Sequence, residues 1–384
     1  MNYRTLGLTG LRVSEVGLGC EQIMEQDSQA SVEVLNAAIK AGVNYFDLFS
    51  PHPSMRDAFG IAMEGRREKF ILQAHLCSAW IDGQYKRTRE IEEVRAAFVD
   101  LLTRLHTDYV DVGKIHYIDG KEDFDQVFQG PVLAYAKELK AAGTVRFLGM
   151  STHNPRIATM AAETGLIDVI MFSCNPAYDI LPPSEDINTL FDGASYEALD
   201  PVSHTDPERK ELYSLCESMG VALTVMKPFA GGALLNSKVS PFGKAITVAQ
   251  CLHYCLTRPG VATVLVGAED VEELRESVAY CGLPDEERDY GALLGSFPLR
   301  PFVDACMYCR HCAPCTAGID IAAVNKFADL CETQGKVPDT VREHYAIMPA
   351  KAGDCVKCGQ CEPRCPFGVK IMEHMEKAQA IFGA

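Results

Sequence analysis

From residue 10 to about residue 295 the chain alternates apolar, β-rich runs with stretches of helical period, and this alternation constrains the fold more than any other feature. "SVEVLNAAIKAG" precedes "VNYFDL", "EEVRAAFVDLLTRL" precedes "DYVDVGKIH", "VLAYAKELKAAG" precedes "VRFLGMS", and "LYSLCESMG" precedes "VALTVMK". Parallel strands need long crossovers, which helices supply, and glycine at a helix C-terminus releases the chain into the next strand. Eight such units predict an α/β fold of the closed (β/α)8 TIM-barrel type, whose reactive side chains sit at the C-terminal ends of the strands. No Gly-x-Gly-x-x-Gly follows the first strand, which disfavours an open dinucleotide-binding sheet.

At 384 residues the chain is longer than one such barrel needs. The reading is a barrel over residues 1–295 and a small C-terminal ferredoxin-like iron–sulfur domain over 296–384. Eight of the sixteen cysteines fall in that tail in two runs. The second, Cys355-x2-Cys358-x2-Cys361-x3-Cys365-Pro366, has the bacterial ferredoxin spacing, in which three thiolates hold one cubane and the fourth reaches the other. The first, Cys306-x2-Cys309-x2-Cys312-x2-Cys315, is one residue short before its last cysteine and no proline follows it. The crossing rule groups Cys306, Cys309 and Cys312 with Cys365, and Cys355, Cys358 and Cys361 with Cys315, which predicts two 4Fe–4S clusters. Paired zinc knuckles are the alternative, but three cysteines at successive x2 spacings suit one face of a cubane better. Cys331, in a helical stretch, reads as a small buried hydrophobe.

Thirty-six basic against fifty-two acidic residues give a formal charge of −16, so there is no basic stripe to neutralise phosphates and nucleic acid is not an expected partner. No apolar run is long enough to span a membrane, and "MNYRTLGLTG" lacks a basic segment followed by an apolar one. The expectation is a cytoplasmic protein without a membrane partner.

The ordered motifs "YRTLGLTGLRVSEVGLGC", "AGVNYFDLF", "FGIAMEGRREKFIL", "DYVDVGKIH", "LGMSTHNP", "GLIDVIMFSCN", "MKPFAGGAL" and "VLVGAEDVEELRESV" resemble the aldo-keto reductase superfamily across the first domain. The tail resembles the ferredoxin-type extension of a bacterial branch of that superfamily. The resemblance implies a Tyr acid, a Lys that depresses its pKa, an Asp paired with the Lys, and a His that orients substrate. By position the Asp is Asp47 and the His is His116, whereas the Tyr position holds His52 and the Lys position holds His75.

Imidazole titrates near 6.5 and needs no cation to act as an acid at neutral pH, so the two exchanges make sense as a pair. On one reading His52 donates a proton, with Asp47 raising its pKa and His75 or His116 relaying. On a second, Asp47, His52, His75 and His116 bind a divalent metal for a lyase or isomerase reaction. On a third the pocket is not catalytic and the chain is an electron-transfer module. Lys114, two residues before His116 on the same strand, is expected to point inward one layer deeper and to replace the missing cation. His153 is placed at the rim, and Cys20 and Cys174 are read as buried thiols.

For nicotinamide the resemblance implies Ser151 at the carboxamide, with Thr152 in place of Asn, Met171 in place of Gln and Met226 near the stacking position. Lys227, Gly231 and Gly232 are expected at the pyrophosphate, and Gly267 at the turn into a helix. Glu269, Asp270 and Glu273 stand where relatives that bind NADP carry cations, which favours NADH over NADPH. A hydride carries two electrons and a cubane takes one, so a flavin, a radical-tolerant substrate or an external ferredoxin-type partner is expected to mediate. The long polar segment 179–208 is expected to cover the pocket, to dock against the tail, or to be a surface excursion. Together these readings describe an iron–sulfur oxidoreductase that reduces a small organic carbonyl or conjugated substrate.

Overall fold

The apolar runs become strands that pair with their sequence neighbours until the last meets the first. In the computed structural model, which describes residues 1–23, 28–197, 199, 205–295 and 304–383, the barrel strands are β1 (Val16–Gly19), β2 (Tyr45–Leu48), β3 (Ile71–Leu76), β4 (Val110–Ile115), β5 (Val145–Thr152), β6 (Val169–Ser173), β7 (Ala222–Met226) and β8 (Val261–Gly267). Every neighbouring pair is parallel and β8 closes on β1.

The crossover helices are α1 (Ser28–Lys40), α2 (Pro53–Met63), α3 (Ile91–Arg104), α4 (Pro131–Ala141), α5 (Pro155–Glu163), α6 (Pro207–Met219), α7 (Val248–Thr257) and α8 (Val271–Ala279). Their ends are written in the sequence. Asp206 accepts from the amides of Glu208 and Arg209 ahead of Pro207, and α6 ends at Gly220 with φ +69°. Thr247 and Gln250 cap α7 reciprocally.

The bottom of the barrel is apolar. A short N-terminal hairpin, Tyr3–Thr5 with Arg12–Ser14, brings Leu6 and Val13 against Tyr45, Val112, Val169 and Ala262. Each such buried side chain contributes about 2 kcal/mol. Polar side chains occur higher up, so the site sits at the C-terminal mouth.

After β3 the chain does not enter its helix directly. A hairpin, Ser78–Ile81 with Gln84–Arg87, intervenes and pairs Trp80 with Tyr85.

Among the described residues 304–383 no strand forms, and the tail is built from α9 (Ile321–Gln334), α10 (Asp339–Ala346) and α11 (Ile371–Phe382) with both cysteine runs in irregular backbone. Buried Arg258, at the end of α7, joins it to the barrel by donating to the Met307 carbonyl at 2.6 Å, and the Tyr290 hydroxyl donates to the same oxygen. Residues 296–303, at the start of the expected C-terminal domain, lie outside the described residues.

Candidate active site at the barrel mouth

Parallel register puts inward side chains of adjacent strands side by side: Asp47 pairs with Gln73, and His75 with Lys114. Side chains alternate along a strand, so Gln73 and His75 share the inner face of β3, as do Lys114 and His116 on and just past β4. The Asp47 Oδ1 atom is the junction. It receives Gln73 Nε2 at 2.6 Å, His75 Nε2 at 3.0 Å and Lys114 Nζ at 3.0 Å. His75 Nδ1 lies 2.8 Å from His116 Nδ1, and His116 Nε2 lies 2.8 Å from the Tyr85 hydroxyl.

Burial alone would raise the Asp47 carboxyl. Lys114 and His75, with hydrogen bonds from His75 and Gln73, hold it well below the usual carboxylate range. Burial lowers the Lys114 ammonium to about 8 against the opposing pull of Asp47. Burial, helped by Lys114, takes His75 down to about 4, and burial with His75 and Lys114 takes His116 well below its ordinary value.

Asp47, His75 and His116 floor a cavity of about 600 Å³, with Lys114 buried beneath them. Phe49, Tyr85 and Tyr117 line one wall, and Ile187 and Phe191, from the segment after β6, line another. Residues 198 and 200–204 of that segment lie outside the described residues. Ser151, Met171, Met226, Lys227, Gly231, Gly232, Gly267, Glu269 and Glu273 also face the cavity. Lys227 and Ala230 have φ of +56° and +52°, so the "KPFAGG" turn is tightly wound against it. The Ser151 hydroxyl is buried and has no hydrogen-bond partner among the described residues. His153, which also lines the cavity, pairs with Asp119 at 2.9 Å and reaches Lys227 Nζ at 3.3 Å.

Two expected residues stand elsewhere. Pro51 and Pro53 turn the chain at the start of α2, and His52 becomes the helix N-cap: its Nδ1 accepts from the Ser54 amide, and its ring lies edge-on to Trp80 at 4.6 Å. His52 does not line the cavity. The Asp270 carboxylate accepts from the amides of Glu272 and Glu273 at the start of α8 and likewise does not line it. Cys20 is fully buried yet borders the cavity, and Cys174 is buried beneath α7.

The sequence profile described as Aldo/keto reductase family matches residues 15–245. The chain belongs to the aldo/keto reductase family. It is 28% identical over 290 residues to an uncharacterized oxidoreductase, YqkF, of Bacillus subtilis (strain 168), an alignment covering 72% of this chain and 90% of the relative. It is also 28% identical over 297 residues to L-galactose dehydrogenase of Arabidopsis thaliana, covering 73% and 88%. Among solved structures, the holo form of aldo-keto reductase AKR11C1 from Bacillus halodurans superposes with a TM-score of 0.58 at 24% identity, covering 75% of this chain and 94% of that one. This aldo/keto reductase is an oxidoreductase built on the family's barrel.

The alternative of a divalent ion on Asp47, His52, His75 and His116 is corrected by the geometry. His75 and His116 spend their facing nitrogens on each other, His75 spends its second nitrogen on Asp47, and His52 is turned away. Among the described residues no three His, Cys, Asp or Glu side chains converge as a single ion requires. The tail cysteines instead surround two voids. Cys315, Cys355, Cys358 and Cys361 line one, and Cys306, Cys309, Cys312 and Cys365 line the other, each a small space of about 20 Å³. Cys331 is buried within α9. No described helix is long and apolar enough to cross a membrane.

Nothing in the sequence marked Tyr85. It belongs to a hairpin without a motif, and only the three-dimensional path of that hairpin brings its hydroxyl to His116.

Proposed function

We propose that this aldo/keto reductase interconverts a small organic carbonyl and its alcohol with a nicotinamide dinucleotide bound at the barrel mouth, and that its C-terminal unit, residues 296–384, carries two 4Fe–4S clusters. The observation that carries the reading is the Ser151 hydroxyl, buried without a partner among the described residues in the cavity floored by Asp47, His75 and His116. A buried polar group left unpaired costs about 1–3 kcal/mol, and an amide-bearing ligand would satisfy it. Lys227, Gly231 and Gly232 stand ready for a pyrophosphate along the same cavity, and Glu269, Glu273 and Glu276 line it as well. Carboxylates suit ribose hydroxyls and repel a 2′-phosphate, which favours NADH.

The two four-cysteine voids support the cluster reading. A cubane is a body of four irons and four sulfides, so its thiolates stand apart around a space and do not converge on a point. Cys306, Cys309, Cys312 and Cys365 would hold one and Cys315, Cys355, Cys358 and Cys361 the other. When bound, such clusters exchange single electrons with the substrate pocket or with a ferredoxin-type partner. Electron transfer to the pocket requires a flavin or a radical-tolerant substrate as the intermediary.

The test is to purify the protein without oxygen and follow its visible spectrum while NADH, NADPH and then dithionite are added. Bleaching by NADH supports both parts of the reading and directs a search for flavin. Bleaching by dithionite alone detaches the clusters from nicotinamide, and a colourless, iron-free protein defeats the cluster assignment.

A further inference from the structure

Tyr85 stands outside every position marked by the sequence, yet its hydroxyl ends the hydrogen-bond chain that starts at Asp47. The direction of that chain follows from its buried end. An ionised carboxylate only accepts, so His75 presents Nε2–H to Asp47. A neutral imidazole carries one proton, so His75 Nδ1 is an acceptor and His116 must donate to it from Nδ1. His116 then has a lone pair at Nε2, and Tyr85 donates its hydroxyl hydrogen there. Burial, which disfavours imidazolium, keeps both rings neutral. The phenol therefore points its proton inward and its free lone pairs into the cavity. At 41% exposure it is reachable by a ligand.

We propose that Tyr85 takes the proton of a substrate hydroxyl, and that the chain Tyr85–His116–His75–Asp47 passes it inward to Lys114, so that the pocket is set to oxidise a small alcohol while Lys114 is an amine. This rests on the nicotinamide reading above and adds its direction and its proton-transfer residue. In the step the substrate O–H bond breaks and a new Tyr85 O–H bond forms while the tyrosine's own proton moves to His116 Nε2. His116 gives its Nδ1 proton to His75 Nδ1, and His75 gives its Nε2 proton to Asp47 Oδ1. Lys114 Nζ, 3.0 Å from that oxygen, takes it and becomes an ammonium. The alcohol's C–H leaves as hydride to an oxidised nicotinamide dinucleotide, which gains the electron pair, and the carbonyl forms. The chain run outward returns the proton to solvent once product leaves.

Lys114 must be an amine to receive the proton. The charged and titratable groups that bear on it are Asp47, His75, His116 and, at longer range, Lys227. With its ammonium lowered to about 8, oxidation should rise with pH through that value.

Histidine-selective nitrogen-15 NMR on the full chain, purified without oxygen, reads the tautomers directly. The expected result is His75 protonated at Nε2, His116 at Nδ1, and a shift of the His116 Nε2 resonance in Tyr85→Phe. His116 protonated at Nε2, or an Nε2 resonance indifferent to Tyr85→Phe, overturns the chain whatever the cofactor. Turnover is read separately with NAD⁺ and a series of small primary and secondary alcohols. Tyr85→Phe should lower kcat at least about 100-fold with the NADH dissociation constant, read by fluorescence, essentially unchanged. Lys114→Arg, which keeps the charge, should remove the rise near pH 8. Tyr85→Phe with undiminished kcat overturns the proton-transfer role. A wild-type chain that binds no nicotinamide overturns the oxidation step, while the tautomers still decide the proton chain.

Discussion

His75 and His116 face one another Nδ1 to Nδ1 across 2.8 Å, a contact that exists only while one ring offers a lone pair to the other. His75 is held at about 4 in the folded chain, below its value of about 6.5 when unfolded, and burial lowers His116 and His153 in the same direction. Between these values the unfolded chain binds more protons than the folded one, so stability falls as pH drops from about 6.5 toward about 4. Thermal unfolding without oxygen should show a lower midpoint at about pH 5 than at about pH 7, by several degrees. Equal midpoints would mean that the pair is solvated or already charged.

Below about pH 8 Lys114 and Asp47 form a buried ion pair: the lysine is 0% exposed and the aspartate 2%. Removing one member of a buried pair strands the other charge, at a cost of about 3–5 kcal/mol. Lys114→Met should therefore destabilise the barrel by that amount in denaturant unfolding. The double variant Lys114→Met/Asp47→Asn should recover at least half of the loss. If the double variant is no better than the single, the cost is one of packing and not of charge.

Glu269 and Glu276 both line the cavity, near the start of α8 and within it. The wild-type chain should bind NADH more tightly than NADPH in a fluorescence titration. Neutralising both in Glu269→Gln/Glu276→Gln should narrow the preference about tenfold, equivalent to about 1.4 kcal/mol. Tighter NADPH binding by the wild-type chain would remove the acidic end of the cavity from the argument.

Cys315 and Cys365 each stand with three cysteines of the other run. If the voids hold cubanes, Cys315→Ser and Cys365→Ser should each lower bound iron by about half. Cys331→Ser, in a helix away from both voids, should leave iron unchanged. Full iron in either of the first two variants would break the crossed grouping.

The barrel was legible because its cause is local. Period-two apolar runs, helical stretches and glycine stops repeat along the chain, and parallel strands joined by helices have few ways to close. Alternation along β4 likewise puts Lys114 and His116 on one face, since side chains two apart on a strand point the same way. Within each cysteine run, thiols separated by two residues cannot lie far apart in space, whereas the standing of Cys315 and Cys365 with the other run depends on how the two runs meet in the fold.

What the sequence by itself could not determine was where a side chain points once the chain leaves a strand. His52 follows β2 closely, yet two flanking prolines and a helix start turn it toward Trp80. Asp270 reads as a ribose ligand and is spent on its own helix. Tyr85 lies in a motif-free hairpin and reaches His116 across 31 residues of chain. Strand periodicity and ligand spacing act over a few residues and are written locally. The mouth of the barrel is assembled from loops whose neighbours come from distant parts of the chain, so only the closed tertiary structure decided which groups meet there.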